Sequence, residues 1–221
     1  KQAAAASGIE LLEPNALAVL QAGAPVARAP RLVLGAGTGL GVATLVWADG
    51  RYRVLPGEAG HAGFAPADDE QAALWRDLQS QSGRVCIEDV VSGPGLARID
   101  AFVRRRRGLP PATDAAPAAV VARAAAGEAA SAHALDLFIA CYGAAAGDLA
   151  LGTLAYGGVF VAGGIAPKIL PRLRAGGFLA AFSAKGAYAE TLARMPLAVV
   201  CEERLGVLGC ALIASRGGAL E

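Results

Sequence analysis

An α/β fold is what these 221 residues predict. Short, wholly apolar runs of strand length occur beside longer stretches whose apolar residues recur at helical steps, and no internal repeat suggests a solenoid. At 55% hydrophobic and 18% charged, the chain has enough apolar mass for one substantial core or two small ones.

Taken in order, Lys1 to Ser7 is alanine-rich and reads as the tail of a helix, without the apolar core and cleavage pattern of a secretory signal. Leu32-Val33-Leu34 and Val42 to Trp47 are strands, and the glycine-rich segment between them is a tight turn. Asp49-Gly50, between Val42–Trp47 and Tyr52–Leu55, is a strong hairpin signal, so the sheet is antiparallel at this end. Helical periodicity covers Glu70 to Ser80 and Gly95 to Arg106, where Leu96, Ile99 and Val103 share a face. From Ala115 to about Ala155 the chain reads as alanine-rich helix, with Leu135, Phe138, Tyr142 and Leu149 at helical steps. Val159 to Ala162 and Leu197 to Val200 are strands, and Val207 to Ala214 is a compact apolar helix packing through Gly206 and Gly209.

Composition also excludes functions. With 20 Lys+Arg against 19 Asp+Glu, no long-range field favours nucleic acid or an anionic membrane, so any bound anion must be held locally. Leu149 to Pro167 carries no charge, but its five glycines fit a helix end, a turn, a core strand and a second turn better than a membrane span. Cys86, Cys141, Cys201 and Cys210 form no C-x-x-C pair and sit in apolar surroundings; reduced thiols and a cytoplasmic location are expected. No cluster has the spacing of a metal site.

Four segments can carry chemistry. Gly35-Ala36-Gly37-Thr38-Gly39-Leu40-Gly41 fits neither the dinucleotide fingerprint nor a Walker loop. It reads either as an ordinary glycine hairpin or as a turn whose bare amides and Thr38 hydroxyl can wrap a phosphate. Pro56-Gly57-Glu58-Ala59-Gly60-His61 offers a carboxylate and an imidazole on a loop; alone, these also read as a solvated acid and a half-buried histidine. Glu88 precedes the helix-opening turn Ser92-Gly93-Pro94-Gly95. Gly163-Gly164-Ile165-Ala166-Pro167 follows a core strand, where α/β proteins tend to place ligands. His133, the other histidine, packs or faces water, and Arg104 to Arg107 read as a solvated helix end that complements the dipole.

In order and wording these segments resemble the bacterial glucokinase family of the hexokinase, actin and heat-shock-ATPase superfamily. Gly35 to Ala43 resembles that family's second phosphate loop and Leu55 to His61 its sugar loop; Val91 to Leu96 follows, with Glu88 at the third sugar-contacting position. Gly157 to Ile165 resembles the adenosine motif, and Gly177-Phe178 through Lys185-Gly186 continues the likeness, which covers nearly the whole chain.

The resemblance implies a ribonuclease H-like, actin-like ATPase fold and ATP-dependent phosphorylation of glucose at its 6-hydroxyl, with Mg²⁺ and with a homodimer as one expected assembly. It implies that Glu58, His61 and Glu88 hydrogen-bond glucose, that Gly37, Thr38 and Gly39 meet the ATP phosphates, and that Gly163, Gly164 and Ile165 line the adenosine pocket. The family's catalytic aspartate, in an Asn-Asp pair, and its Asp-x-Gly-Gly-Thr loop have no match here; the only asparagine, Asn15, precedes Ala16. The expectation is therefore an N-terminally truncated kinase, inactive alone. Residues 1–201 would be the large domain, and 202–221 a C-terminal helix whose partner, the small domain, is largely missing. The alternative is a non-catalytic sugar-binding or regulatory module of the same superfamily, although no helix-turn-helix is found.

Overall fold

The computed structural model describes residues 2–216. A short helix, α1 (Gln2–Gly8), leads to strand β1 (Leu17–Gln21), after which β2 (Arg31–Ala36), β3 (Leu40–Ala48) and β4 (Arg51–Gly57) form a meander. Helices α2 (Asp69–Ser82), α3 (Ile87–Val90), α4 (Gly93–Arg106), α5 (Pro117–Ala125) and α6 (Ala129–Thr153) come next. Strand β5 (Gly158–Ala162), helices α7 (Leu170–Arg174), α8 (Gly177–Ser183) and α9 (Ala189–Arg194), strand β6 (Leu197–Val200) and helix α10 (Leu205–Ser215) follow within the described residues.

The six strands make one sheet in the order β1-β6-β5-β2-β3-β4. Its meander end is antiparallel, as expected; β2, β5 and β6 run parallel, and β1 adds antiparallel to β6. Asp49 (φ 51°) and Gly50 (φ 77°) both take positive φ, as a two-residue hairpin turn requires. Beside that turn Trp47 and Tyr52 pair across the strands edge to face, with ring centroids 5.1 Å apart.

Strand alternation divides the apolar residues between two cores. Leu32, Leu34 and Ala36 of β2, with Val159 and Val161 of β5, face the larger core; Val33 and Ala162 face a smaller one with Ala6 and Leu205. The larger core is built around α6, which is apolar nearly all round because it is buried nearly all round. It is the one helix among the described residues long and apolar enough to cross a bilayer, and 72% of its apolar window is covered by the rest of the fold. A Cβ at Gly143 or Gly147 would collide with the carbonyl oxygens of Phe178 and Phe182, so these glycines let α8 lie directly against α6.

Several sequence expectations need correction. The span from Ala115 to Ala155 is two helices, broken at Gly127 (φ 87°), with Pro117 at the first position of α5. The C-terminal helix does have a partner. It packs on α1, where Gly209 meets the backbone of Ala4 and Gly8 that of Leu205. Gly206 takes no part, since a Cβ there would meet nothing. The end of the predicted 202–221 segment, 217–221, lies outside the described residues. Not all cysteines are packed apolar: Cys201 and Cys210 are exposed, and Cys86, though buried, is hydrogen-bonded. Nor is the arginine run wholly solvated, because Arg104 is only 7% exposed.

Candidate functional site

The glycine-rich turn Gly37-Thr38-Gly39 joins β2 to β3 at the C-terminal end of β2, with Gly37 N–H donating to the Gly39 carbonyl at 2.8 Å. Three neighbours fix it. The Gly93 N–H, at the start of α4, donates to the Gly37 carbonyl at 2.7 Å, while Ser92 Oγ caps α4 by accepting from Gly95 N–H at 3.1 Å. The buried Tyr142 hydroxyl of α6 accepts from Ala36 N–H at 3.3 Å. Gly163 follows β5 with φ 86°, and a Cβ there would collide with the Ala36 carbonyl, so only glycine lets the two parallel strand ends approach.

These contacts open a cleft of about 570 Å³ between the turn, the first turns of α4 and α5, and the segment after β5. Of the predicted nucleotide residues, Gly37, Thr38, Gly164 and Ile165 line this cleft together. Gly39 and Gly163 do not. A Cβ at Gly39 would strike the Glu88 carboxylate, and Gly163 borders a neighbouring recess of about 420 Å³ with Lys168, Glu202 and Gln2. The cleft offers backbone amides, the Thr38 hydroxyl, the positive dipole end of the 14-residue α4, whose own first N–H groups are already bonded to Gly37 O and Ser92, and, on both recesses, the exposed ammonium of Lys168. That set suits a phosphorylated, flat-based ligand.

The predicted sugar residues ride on two stitched segments. Glu58 follows β4 directly and is exposed; its carbonyl accepts from His61 N–H at 2.9 Å. Phe64 N–H donates to Val85 O (3.1 Å), Ile87 N–H to Ala62 O (2.9 Å), and Arg84 Nη2 to His61 O (2.9 Å). Loop 58–64 is thereby tied to the residues that lead into α3, and His61 Nδ1 comes to 3.8 Å from Cys86 Sγ. Glu88, in the first turn of α3, is half-buried and accepts from Leu40 N–H at 2.6 Å. Leu40 is the common point, since a Cβ at Gly60 would collide with the Leu40 carbonyl. Both segments therefore converge on the first residue of β3, directly after the glycine turn. Glu58 itself borders a recess of about 260 Å³ with Gln2, Val42 and Pro56. Gln2 lies between that recess and the 420 Å³ one, its Nε2 buried and without a hydrogen-bond partner among the described residues.

Two features were missed by sequence reasoning. Asp100, 2% exposed, is held by Arg104 Nε (3.0 Å), Arg123 Nη2 (2.9 Å) and Ser131 Oγ (2.7 Å), and Glu128 pairs with both arginines. Arg123 also donates to Asp114 O at 2.6 Å, which anchors α5, whose Pro117, Ala118 and Val121 wall the cleft. The signal available was an acid four residues before an arginine on a helix face, a spacing usually assigned to the surface. The second is Cys86, the N-cap of α3: Asp89 Oδ2 accepts from its N–H (2.9 Å) and its thiol (3.1 Å). Burial pushes the thiol up. Burial also pushes the Asp89 carboxyl up, but the Cys86 donors, Arg98 and His61 outweigh it and hold the group below the usual carboxylate range. His133 pairs with Glu70 at 2.8 Å, away from these segments.

The family model described as Glucokinase matches residues 2–217. The glucokinase of Nostoc sp. (strain PCC 7120) is 41% identical over 239 residues, covering 97% of this chain and 69% of that protein. The crystal structure of glucokinase from an Antarctic psychrotroph superposes with a TM-score of 0.89 at 32% identity, over 97% of this chain and 67% of that one. The glucokinase of Balamuthia mandrillaris, solved in complex with glucose, shares the fold with a TM-score of 0.82 at 22% identity, over 97% and 64% of the two chains. The α/β architecture is thus the actin-like ATPase fold expected from the motifs, and the chain belongs to the glucokinase family of sugar kinases.

Proposed function

We propose that this chain supplies the glucose- and ATP-binding surfaces of a cytoplasmic glucokinase, which transfers the γ-phosphoryl group of ATP to the 6-hydroxyl of glucose. The observation that carries the reading is the shared turn. Its Gly37-Thr38 side opens on the 570 Å³ cleft, and its Gly39-Leu40 side is held by Glu88 and abuts the loop of Glu58 and His61. Two ligands seated on the two sides would lie next to each other, which is the main demand of phosphoryl transfer.

In this reading Glu58, His61 and Glu88 orient the sugar through its hydroxyls, and an analogue lacking one leaves a polar group unpaired. Thr38, with Gly37 beside it, meets the phosphates at the cleft, and Gly164 and Ile165 shape the adenosine end, while Gly39 and Gly163 act indirectly by letting Glu88 and Ala36 hold the turn and the strand end in place. ATP would bring Mg²⁺ held on its phosphate oxygens, supplying charge neutralisation. Among the described residues no group of three or more His, Cys, Asp or Glu side chains is placed to hold a metal. We further propose that residues 1–201 carry both sites, that the helix from 202 completes the layer over α1, and that the assembly is a homodimer, which sedimentation would test.

The 221 residues contain neither an Asn-Asp pair nor an Asp-x-Gly-Gly-Thr segment. By themselves they are expected to bind glucose and a non-hydrolysable ATP analogue while transferring phosphate negligibly, because a general base and a phosphate cradle each contribute on the order of 10²-fold or more. Calorimetric titration with each ligand, together with a coupled assay for glucose 6-phosphate, tests this. Ordinary turnover would overturn the inactivity, and failure to bind glucose would overturn the sugar site. Glucose binding without nucleotide binding would favour a non-catalytic sugar-binding module.

A further inference from the structure

The hydrogen bonds around His61 form a chain of donors with one consistent proton assignment. Asp89 accepts the Cys86 N–H at 2.9 Å and Arg98 Nη1 at 3.2 Å, an arrangement that suits an ionised, acceptor-only carboxylate. Its 3.1 Å contact to Cys86 Sγ is then an S–H···O bond, donated by the thiol. Because a thiol has a single proton, Sγ has only lone pairs left for the imidazole nitrogen 3.8 Å away. A hydrogen bond there requires the proton on Nδ1.

We propose that Cys86, oriented by Asp89, is a positioning residue that fixes neutral His61 with its proton on Nδ1, so that Nε2 is presented as a lone-pair acceptor for a sugar hydroxyl. Nε2 makes no hydrogen bond to the protein among the described residues, and the side chain is exposed. The sugar half of this inference rests on the proposed glucose site. Its consequence is specific: with Glu58 and Glu88, His61 completes a set of three acceptors, which would read the ligand's hydroxyls as donors. Fluorine in place of a hydroxyl keeps the size but cannot donate, so a deoxyfluoro sugar should bind far more weakly than glucose.

Only two histidines are present, so long-range proton–nitrogen correlation spectra of the ¹⁵N-labelled chain at about pH 9, where an ordinary imidazole is neutral, resolve both rings, with His133 as internal reference. The expected result is a protonated Nδ1 and an unprotonated Nε2 on His61. Cys86→Ala should shift the population towards the Nε2–H form. Cys86→Ser, whose hydroxyl can both donate to Asp89 and accept from His61, should restore Nδ1–H. In calorimetry, Cys86→Ala should weaken glucose binding about threefold to tenfold and Cys86→Ser much less. A wild-type His61 protonated on Nε2, or a tautomer indifferent to Cys86→Ala while His133 stays unchanged, overturns the proposal. If His61 is in the Nδ1–H form but glucose does not bind, the sugar-site reading fails and the acceptor role with it, while the proton assignment stands.

Discussion

The two sides of the Gly37–Gly39 turn are built by different means. On the cleft side the chain offers backbone, a hydroxyl and an apolar wall, all set by strand ends and helix starts that the fold requires anyway. On the other side it offers charged side chains carried by a loop and a four-residue helix, held by a few hydrogen bonds across segments. A site of the first kind fails when the backbone shifts. One of the second kind fails when a single partner is lost, with the fold intact.

That contrast can be tested from its strongest point downwards. Gly163→Val forces a branched side chain into positive φ against the Ala36 carbonyl; we expect a loss of about 4 kcal/mol from strain and overpacking together, read by urea denaturation, with nucleotide affinity lost before glucose affinity. Asp100→Asn leaves Arg104 and Arg123 short of a buried partner and should cost about 3 kcal/mol. In the folded fraction it should weaken nucleotide binding by loosening α5 while sparing glucose.

Glu88→Ala leaves the fold nearly unchanged and should weaken glucose binding about thirtyfold, equivalent to about 2 kcal/mol. It is also the change that best probes the division: Glu88 holds Leu40 N–H, so nucleotide affinity should fall severalfold as well, whereas Thr38→Ala should touch the nucleotide alone. The smallest effect concerns pH. The folded Asp89 carboxyl sits below its ordinary value. Its contribution is therefore complete above about pH 4, the unfolded value, and is lost as pH falls through the lower folded one. Asp89→Asn should remove no more than about 1 kcal/mol of acid-side slope after solvent screening, visible as flatter melting temperatures below that pH.

How much of this was legible beforehand follows the same contrast. The strands at 32–34, 42–47, 159–162 and 197–200 and the Asp49-Gly50 hairpin were readable because period and turn chemistry act locally. The cleft residues were readable as glycines, although the sequence did not reveal which glycine lines the cleft and which makes room for the protein: Gly39 yields to Glu88 and Gly163 to Ala36. Alanine hid the break between α5 and α6, since a run of small residues has no apolar face to lose register. Arg104 looked like a surface charge because its partners lie at 100 and 128, one of them on another segment. Cys86 looked like a small apolar filler because its meaning depends on a loop 25 residues earlier.

Helix α6 has a consequence for the order in which the protein is made. Its 25 residues leave the ribosome before α8, which packs on it more extensively than any other described element, and α8 is complete about thirty residues later. At about 5–20 residues per second, a greasy rod with the dimensions of a membrane anchor waits for seconds in a nascent chain. During that interval its stickiness must be masked by holdase chaperones or by the earlier helices, and a slow codon stretch downstream of Thr153 would lengthen its vulnerability to aggregation.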